Sequence, residues 1–199
     1  MNRKEFVQGI AALSVSVAAG VSLGKEGKGM KKTELKTLAS ENAFDLIGKE
    51  WMLVTAGNKE KLDMMTASWG GIGWLWNRPV AFIFIRPERY THDFIERENR
   101  LTLSFYKEEY RGILQFCGTK SGRDVDKVKE TGLKPIQLES GAMTFAEARL
   151  TLDCRRIFKS PMAEANFIDK SILAKWYGNQ PGGSLHDVYV VEIEGVYVD

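Results

Sequence analysis

The chain has 199 residues, 44% hydrophobic and 27% charged, which suits one globular domain with an additional segment. A net charge of only +2 leaves no broad basic surface for nucleic acid. Two cysteines, Cys117 and Cys154, with no C-x-x-C spacing, and two histidines far apart in sequence argue against a disulfide framework and a structural zinc site.

The first thirty residues differ from the rest. Arg3 and Lys4 precede an apolar, small-residue run over 9–23, and a polar stretch, GKEGKGMKK, follows. A basic start, a short apolar stretch and small residues at Ala18-Ala19-Gly20 read as an export signal over 1–30. The expected location is then periplasmic. A retained, disordered or amphipathic tail on a cytoplasmic protein is the other reading. Arg3-Lys4 is similar to a twin-arginine signal with lysine in the second position. The run is short and rich in Ala, Ser and Gly, so no stable membrane span is expected in the mature chain. The folded domain is expected over 35–199.

Residues 35–47 allow helix or extended chain. EWMLVTA (50–56) is a strand of β-favouring residues, a Gly57-Asn58 turn follows, and 62–68 returns as a second strand. Gly70, Gly71 and Gly73 suggest a loop that also carries Trp69, Trp74 and Trp76. Residues 80–85 are apolar on both faces and predict a central strand. Thr91 is a candidate N-cap for a helix over 92–98. RLTLSF (100–105) alternates as a strand, and 108–116 has helical spacing. Residues 117–122 read as a turn-rich loop. A short helix over 124–131 would start near Asp124 and stop at Gly132, with Lys127 solvated. RLTLDCRRIF (149–158) is a further strand, 167–177 a short helix, 181–183 a loop and 187–198 a long final strand with a possible bulge at Gly195. Many strands, few helices and no βαβ alternation predict an all-β, antiparallel, closed or nearly closed barrel.

Two stretches carry the chemistry. MTASW, followed by NRPVAFIFIRPERYT, resembles the flavin reductase-like proteins with the FMN-binding split barrel, and within them the flavoredoxin branch. The later run CGTKSGRDVDK (117–127) is similar to the same branch. The resemblance covers residues 42–199. It implies an all-β split barrel with a Greek-key core and a few short helices, a homodimer, and FMN near the subunit interface.

In that family the strand end Thr66-Ala67-Ser68-Trp69 lies along the flavin ring, where small side chains let backbone N–H groups approach. An ordinary strand with two exposed hydroxyls is the alternative. The resemblance places the FMN phosphate at Arg86, Arg89, Tyr90 and Thr91, since arginine grips phosphate at two points and a helix N-terminus favours anions. Ser121 and Arg123, around Gly122, are further candidates to close over the cofactor. Ser104 either approaches the flavin or faces the core. His186 is a candidate on the substrate side, beside a surface-loop reading. Cys117 is either a redox thiol or a small core residue. No metal site is expected, and no side-chain acid or base is required, because the flavin carries the reaction. The implied activity is hydride transfer from NADH or NADPH to bound flavin and on to a small-molecule or protein acceptor. A flavoredoxin-type electron carrier and a non-catalytic flavin-binding barrel are the rivals.

Overall fold

In the computed structural model, residues 29–178 and 184–199 are described. The expected export signal falls almost wholly outside them, and the expected loop at 181–183 lies outside them too.

The apolar and β-branched runs form strands β1 (Lys31–Thr33), β2 (Met52–Gly57), β3 (Leu62–Ala67), β4 (Gly70–Leu75), β5 (Arg78–Ile85), β6 (Arg100–Phe105), β7 (Pro135–Gln137), β8 (Met143–Phe145), β9 (Leu150–Pro161) and β10 (Asp187–Val198). The main sheet runs β3-β2-β6-β9-β10-β5-β4, with β1 added against β10 and β7-β8 paired apart. Its pairs are antiparallel. The expected all-β barrel with few short helices is therefore the observed architecture. The long strands β9 and β10 form its spine. Their register shifts between Val190 and Val191 and again between Ile193 and Gly195, so the bulge expected at Gly195 is present and bends the sheet.

One core lies inside the curved sheet, with Val54, Ile83, Ile85, Phe105, Leu152 and Tyr189 among its buried members. Fully burying such a side chain contributes roughly 1.5–3 kcal/mol. A second cluster, including Leu53, Met64, Leu114, Cys117 and Phe145, sits on the opposite sheet face. The helix that covers it is α3 (Arg111–Thr119). The other α-helices among the described residues are α1 (Ala43–Asp45), α2 (Tyr90–Arg97), α4 (Lys127–Thr131) and α5 (Ser171–Trp176).

Several expectations are corrected. The glycine-rich stretch is not a loop but the edge strand β4, joined to β5 by a tight turn in which Trp76 and Asn77 both have positive φ. Gly70 is required there, because a Cβ would lie 2.5 Å from the Phe82 carbonyl oxygen. Thr91 is not an N-cap: α2 begins earlier, after Arg89, and Thr91 is buried within it. Asp126, not Asp124, caps α4 by accepting from the Lys129 N–H, although Gly132 ends that helix as expected. Lys127 is buried, not solvated. Cys117 lies inside α3 rather than in a loop. Helix α5 is shorter than the run over 167–177, and the chain enters the sheet at Lys31, ahead of residue 35.

Candidate functional site

Strands β3 and β4 end the sheet path, each with a single strand partner. Ser68 and Trp69 link one end to the other. The barrel is thus split where the chain turns, and an edge strand presents backbone N–H and C=O groups with no strand to pair them. A cleft of about 170 Å³ opens at this split. Met65, Thr66, Ala67, Ser68 and Trp69 form one wall, with Phe84, Arg86, Arg89 and His186 facing them. The structure therefore gathers seven of the expected site residues in one place: Thr66, Ala67, Ser68, Trp69, Arg86, Arg89 and His186.

Their chemistry differs from residue to residue. Thr66 Oγ1 donates to the Leu114 carbonyl at 2.6 Å, tying β3 to α3. The half-buried Arg89 guanidinium donates to the Cys117 carbonyl at 3.4 Å. Burial pulls its pKa down, against the pull of Asp63 and Glu88. A cation so placed is stabilised by an incoming anion. Arg86 has another task. It donates to the Ser184 carbonyl at 3.4 Å and the Trp176 carbonyl at 3.2 Å, and lies over the Tyr177 ring at 5.1 Å. It thereby pins the segment around α5 beside the cleft. His186 is buried, with Nδ1 2.9 Å from the Tyr177 hydroxyl and its ring 5.1 Å from that of Trp69. Burial, reinforced by Arg86, lowers its pKa to about 4, so the imidazole is neutral at physiological pH.

Five expected residues lie elsewhere. Tyr90 and Arg123 line a larger hollow of about 820 Å³, together with Asp63, Gly122 and Lys127. Arg123 sits over the Tyr90 ring at 4.7 Å and donates to the Glu88 carbonyl at 3.0 Å and to Asp93 at 2.7 Å. Ser121 Oγ accepts from the Arg123 N–H at 3.2 Å and shapes a local turn. Thr91 donates its hydroxyl to Asp63 at 2.5 Å. The four residues expected around one phosphate are thus divided between the cleft, the hollow and the interior.

Ser104 is corrected to a core position. It is fully buried, 2.9 Å from Thr144 Oγ1 and 3.0 Å from Thr151 Oγ1, and its hydroxyl does not face the cleft. Cys117 is buried in α3, and burial pushes its thiol up to about 11. It is therefore protonated at neutral pH. The sequence does not point to Phe84, Trp176, Tyr177 or Asp63, and it presents Lys127 as solvated. Asp63 carried the clearest signal, as a carboxylate near the start of a strand, between Leu62 and Met64.

Residues 44–199 match the family described as Flavin reductase like domain. The chain belongs to this family. Solved structures similar to this flavin reductase-like chain include the flavoredoxin of Methanosarcina acetivorans, with 20% identity and a TM-score of 0.59 over 75% of this chain and 68% of that one. An FMN-binding domain of flavin reductases-like enzyme from Shewanella baltica is 15% identical, with a TM-score of 0.62 over 88% and 80%. An NADH:FAD oxidoreductase from Streptomyces globisporus, in complex with NAD and FAD fragments, is 14% identical with a TM-score of 0.56 over 75% and 74%. At these identities the likeness establishes the shared fold. No curated protein sequence matches. No helix among the described residues is long and apolar enough to cross a membrane.

Proposed function

We propose that this flavin reductase-like chain binds FMN in the split of its barrel and acts as an oxidoreductase. NADH or NADPH is the hydride donor, and a small molecule or a protein is the acceptor. The observation that carries the reading is Arg89, a half-buried guanidinium beside an open sheet edge with one carbonyl at 3.4 Å as its hydrogen-bond acceptor. Its charge suits a phosphate, and the edge of residues 66–69 offers backbone groups to the polar rim of a flat ring. When bound, FMN supplies the redox chemistry, and the protein supplies binding, orientation and electrostatics. Neutral His186, packed beside Trp69, suits the donor side of the cleft.

The same reading includes a homodimer. Trp74 and Trp76 are 63% and 57% exposed at the edge strand, and Trp76 packs against half-exposed Phe158 at 5.9 Å, an apolar patch of the kind that meets a partner. A flavoredoxin-type carrier without nicotinamide turnover is the second reading. The signal-like composition of residues 1–30 favours it, because nicotinamide cofactors are scarce outside the cytoplasm.

The deciding experiment is the visible spectrum of the purified protein, with identification of the released chromophore, followed by addition of NADH or NADPH. A flavin spectrum, FMN as the released species and rapid bleaching support the enzyme. FMN that is reduced only by dithionite or a protein partner supports the carrier. A colourless protein that cannot be loaded with FMN overturns both.

A further inference from the structure

Beside the cleft lies a second, apolar pocket of about 390 Å³. Trp69, Phe84, Phe167, Trp176 and Tyr177 line it, and Met162 and Ile172 complete the wall. Trp69 and Phe84 are shared with the cleft, so a molecule in the pocket touches the same two rings as a molecule in the cleft. Among the described residues, no charged side chain lines it. Three of its large apolar side chains stay open to solvent: Trp69 at 39%, Ile172 at 41% and Trp176 at 46%. Trp69 and Trp176 meet edge-to-face at 5.3 Å, which leaves ring faces free to stack on a flat guest.

The polar end of this pocket is built. The Tyr177 hydroxyl, on its wall, lies 2.9 Å from His186 Nδ1 and 3.8 Å from Met162 Sδ. The nearby cation is already occupied: Arg86 has the Ser184 and Trp176 carbonyls as partners, with Glu88 Oε1 at 3.7 Å. An anionic guest would find little compensation, whereas one carbonyl oxygen could meet the Tyr177–His186 pair. Apolar walls with a few convergent polar groups mark ligand sites, and the volume falls within their usual range.

We propose that this pocket binds an uncharged, planar, conjugated ring compound bearing carbonyl oxygens, of the quinone class, as the electron acceptor. Its role as acceptor site rests on the flavin reading above; the binding itself does not. Reduction of a quinone to the hydroquinone takes two electrons and two protons. Reduced flavin supplies the electron pair and one proton as hydride, returning to its oxidised form, and solvent supplies the second proton.

The test is calorimetric titration of the full chain with duroquinone, whose ring positions are blocked against thiol addition, and separately with FMN. Ile172→Asp puts a charge at a partly exposed position of the wall, and Trp176→Ala removes a stacking face. The expected result is saturable duroquinone binding that each variant weakens about tenfold or more, with FMN affinity unchanged within about twofold. Wild-type protein that does not bind duroquinone, or two variants that bind it as the wild type does, overturns the proposal. FMN binding without duroquinone binding leaves the cofactor reading standing and removes the pocket. Variant-sensitive duroquinone binding without FMN binding supports the pocket and removes the cofactor reading.

Discussion

The Lys127 ammonium lies 3.5 Å from the Asp63 carboxylate, with both side chains less than 5% exposed. Lys127 also donates to the Met64 carbonyl, and Thr91 donates to the other Asp63 oxygen. Burial lowers the Lys127 pKa, with Asp63 pulling the other way. With Thr91, the pair joins α4 and α2 to β3 at the end of the strand that lines the larger hollow. Removing one member leaves the other buried and unpaired. Lys127→Met is expected to cost about 3–5 kcal/mol, read from urea unfolding. The double variant Asp63→Asn/Lys127→Met should recover part of that loss, because no lone charge then remains.

His186 gives a pH signature. Its pKa is about 4 folded and 6.5 as an ordinary histidine. Between those values the unfolded chain binds a proton that the folded chain does not, so this residue makes stability fall as pH drops from about 6.5 to about 4. The full effect is at most about 3 kcal/mol. Urea midpoints across that range should show the loss, and His186→Gln should reduce the slope. An NMR titration that places the His186 midpoint near 6.5 would contradict the burial argument.

Arg89 and Arg86 should separate. A hydrogen bond to a charged group is worth roughly 1.5–3 kcal/mol, so Arg89→Ala is expected to weaken FMN by about one to two orders of magnitude. Arg86→Ala should cost less, since that side chain serves the α5 segment. Quenching of flavin fluorescence on binding measures both. Equal FMN affinity in Arg89→Ala and wild type would remove Arg89 from the site.

Ser104→Ala tests the corrected assignment. Thr144 and Thr151 remain 3.1 Å apart without it, so the expected cost is about 1 kcal/mol of stability with unchanged FMN affinity. A loss of FMN binding in a stable variant would return Ser104 to the cofactor site.

Local pattern made much of the molecule legible. Alternation placed β6 and β9, and the apolar run at 80–85 placed β5 between two neighbours. It failed at β4, where three glycines hide a strand whose need for glycine comes from the close approach of Phe82, a residue of the next strand. Lys127 was equally opaque, because a lysine in a polar run looks solvated unless the carboxylate that buries it is known.

By itself, the sequence determined the antiparallel strand-rich class, the family, and the candidate residues 66–69, Arg86, Arg89 and His186. These follow from short-range alternation and from motifs that are local in the chain. Only the tertiary structure decided that β3 and β4 take the two ends of the sheet path, that Arg86 serves the α5 segment while Arg89 faces the cleft, and that Ser104 and Thr91 turn inward. Those outcomes depend on which distant atoms stand within hydrogen-bond reach, and on how much water burial removes. Neither quantity is carried by neighbours in sequence.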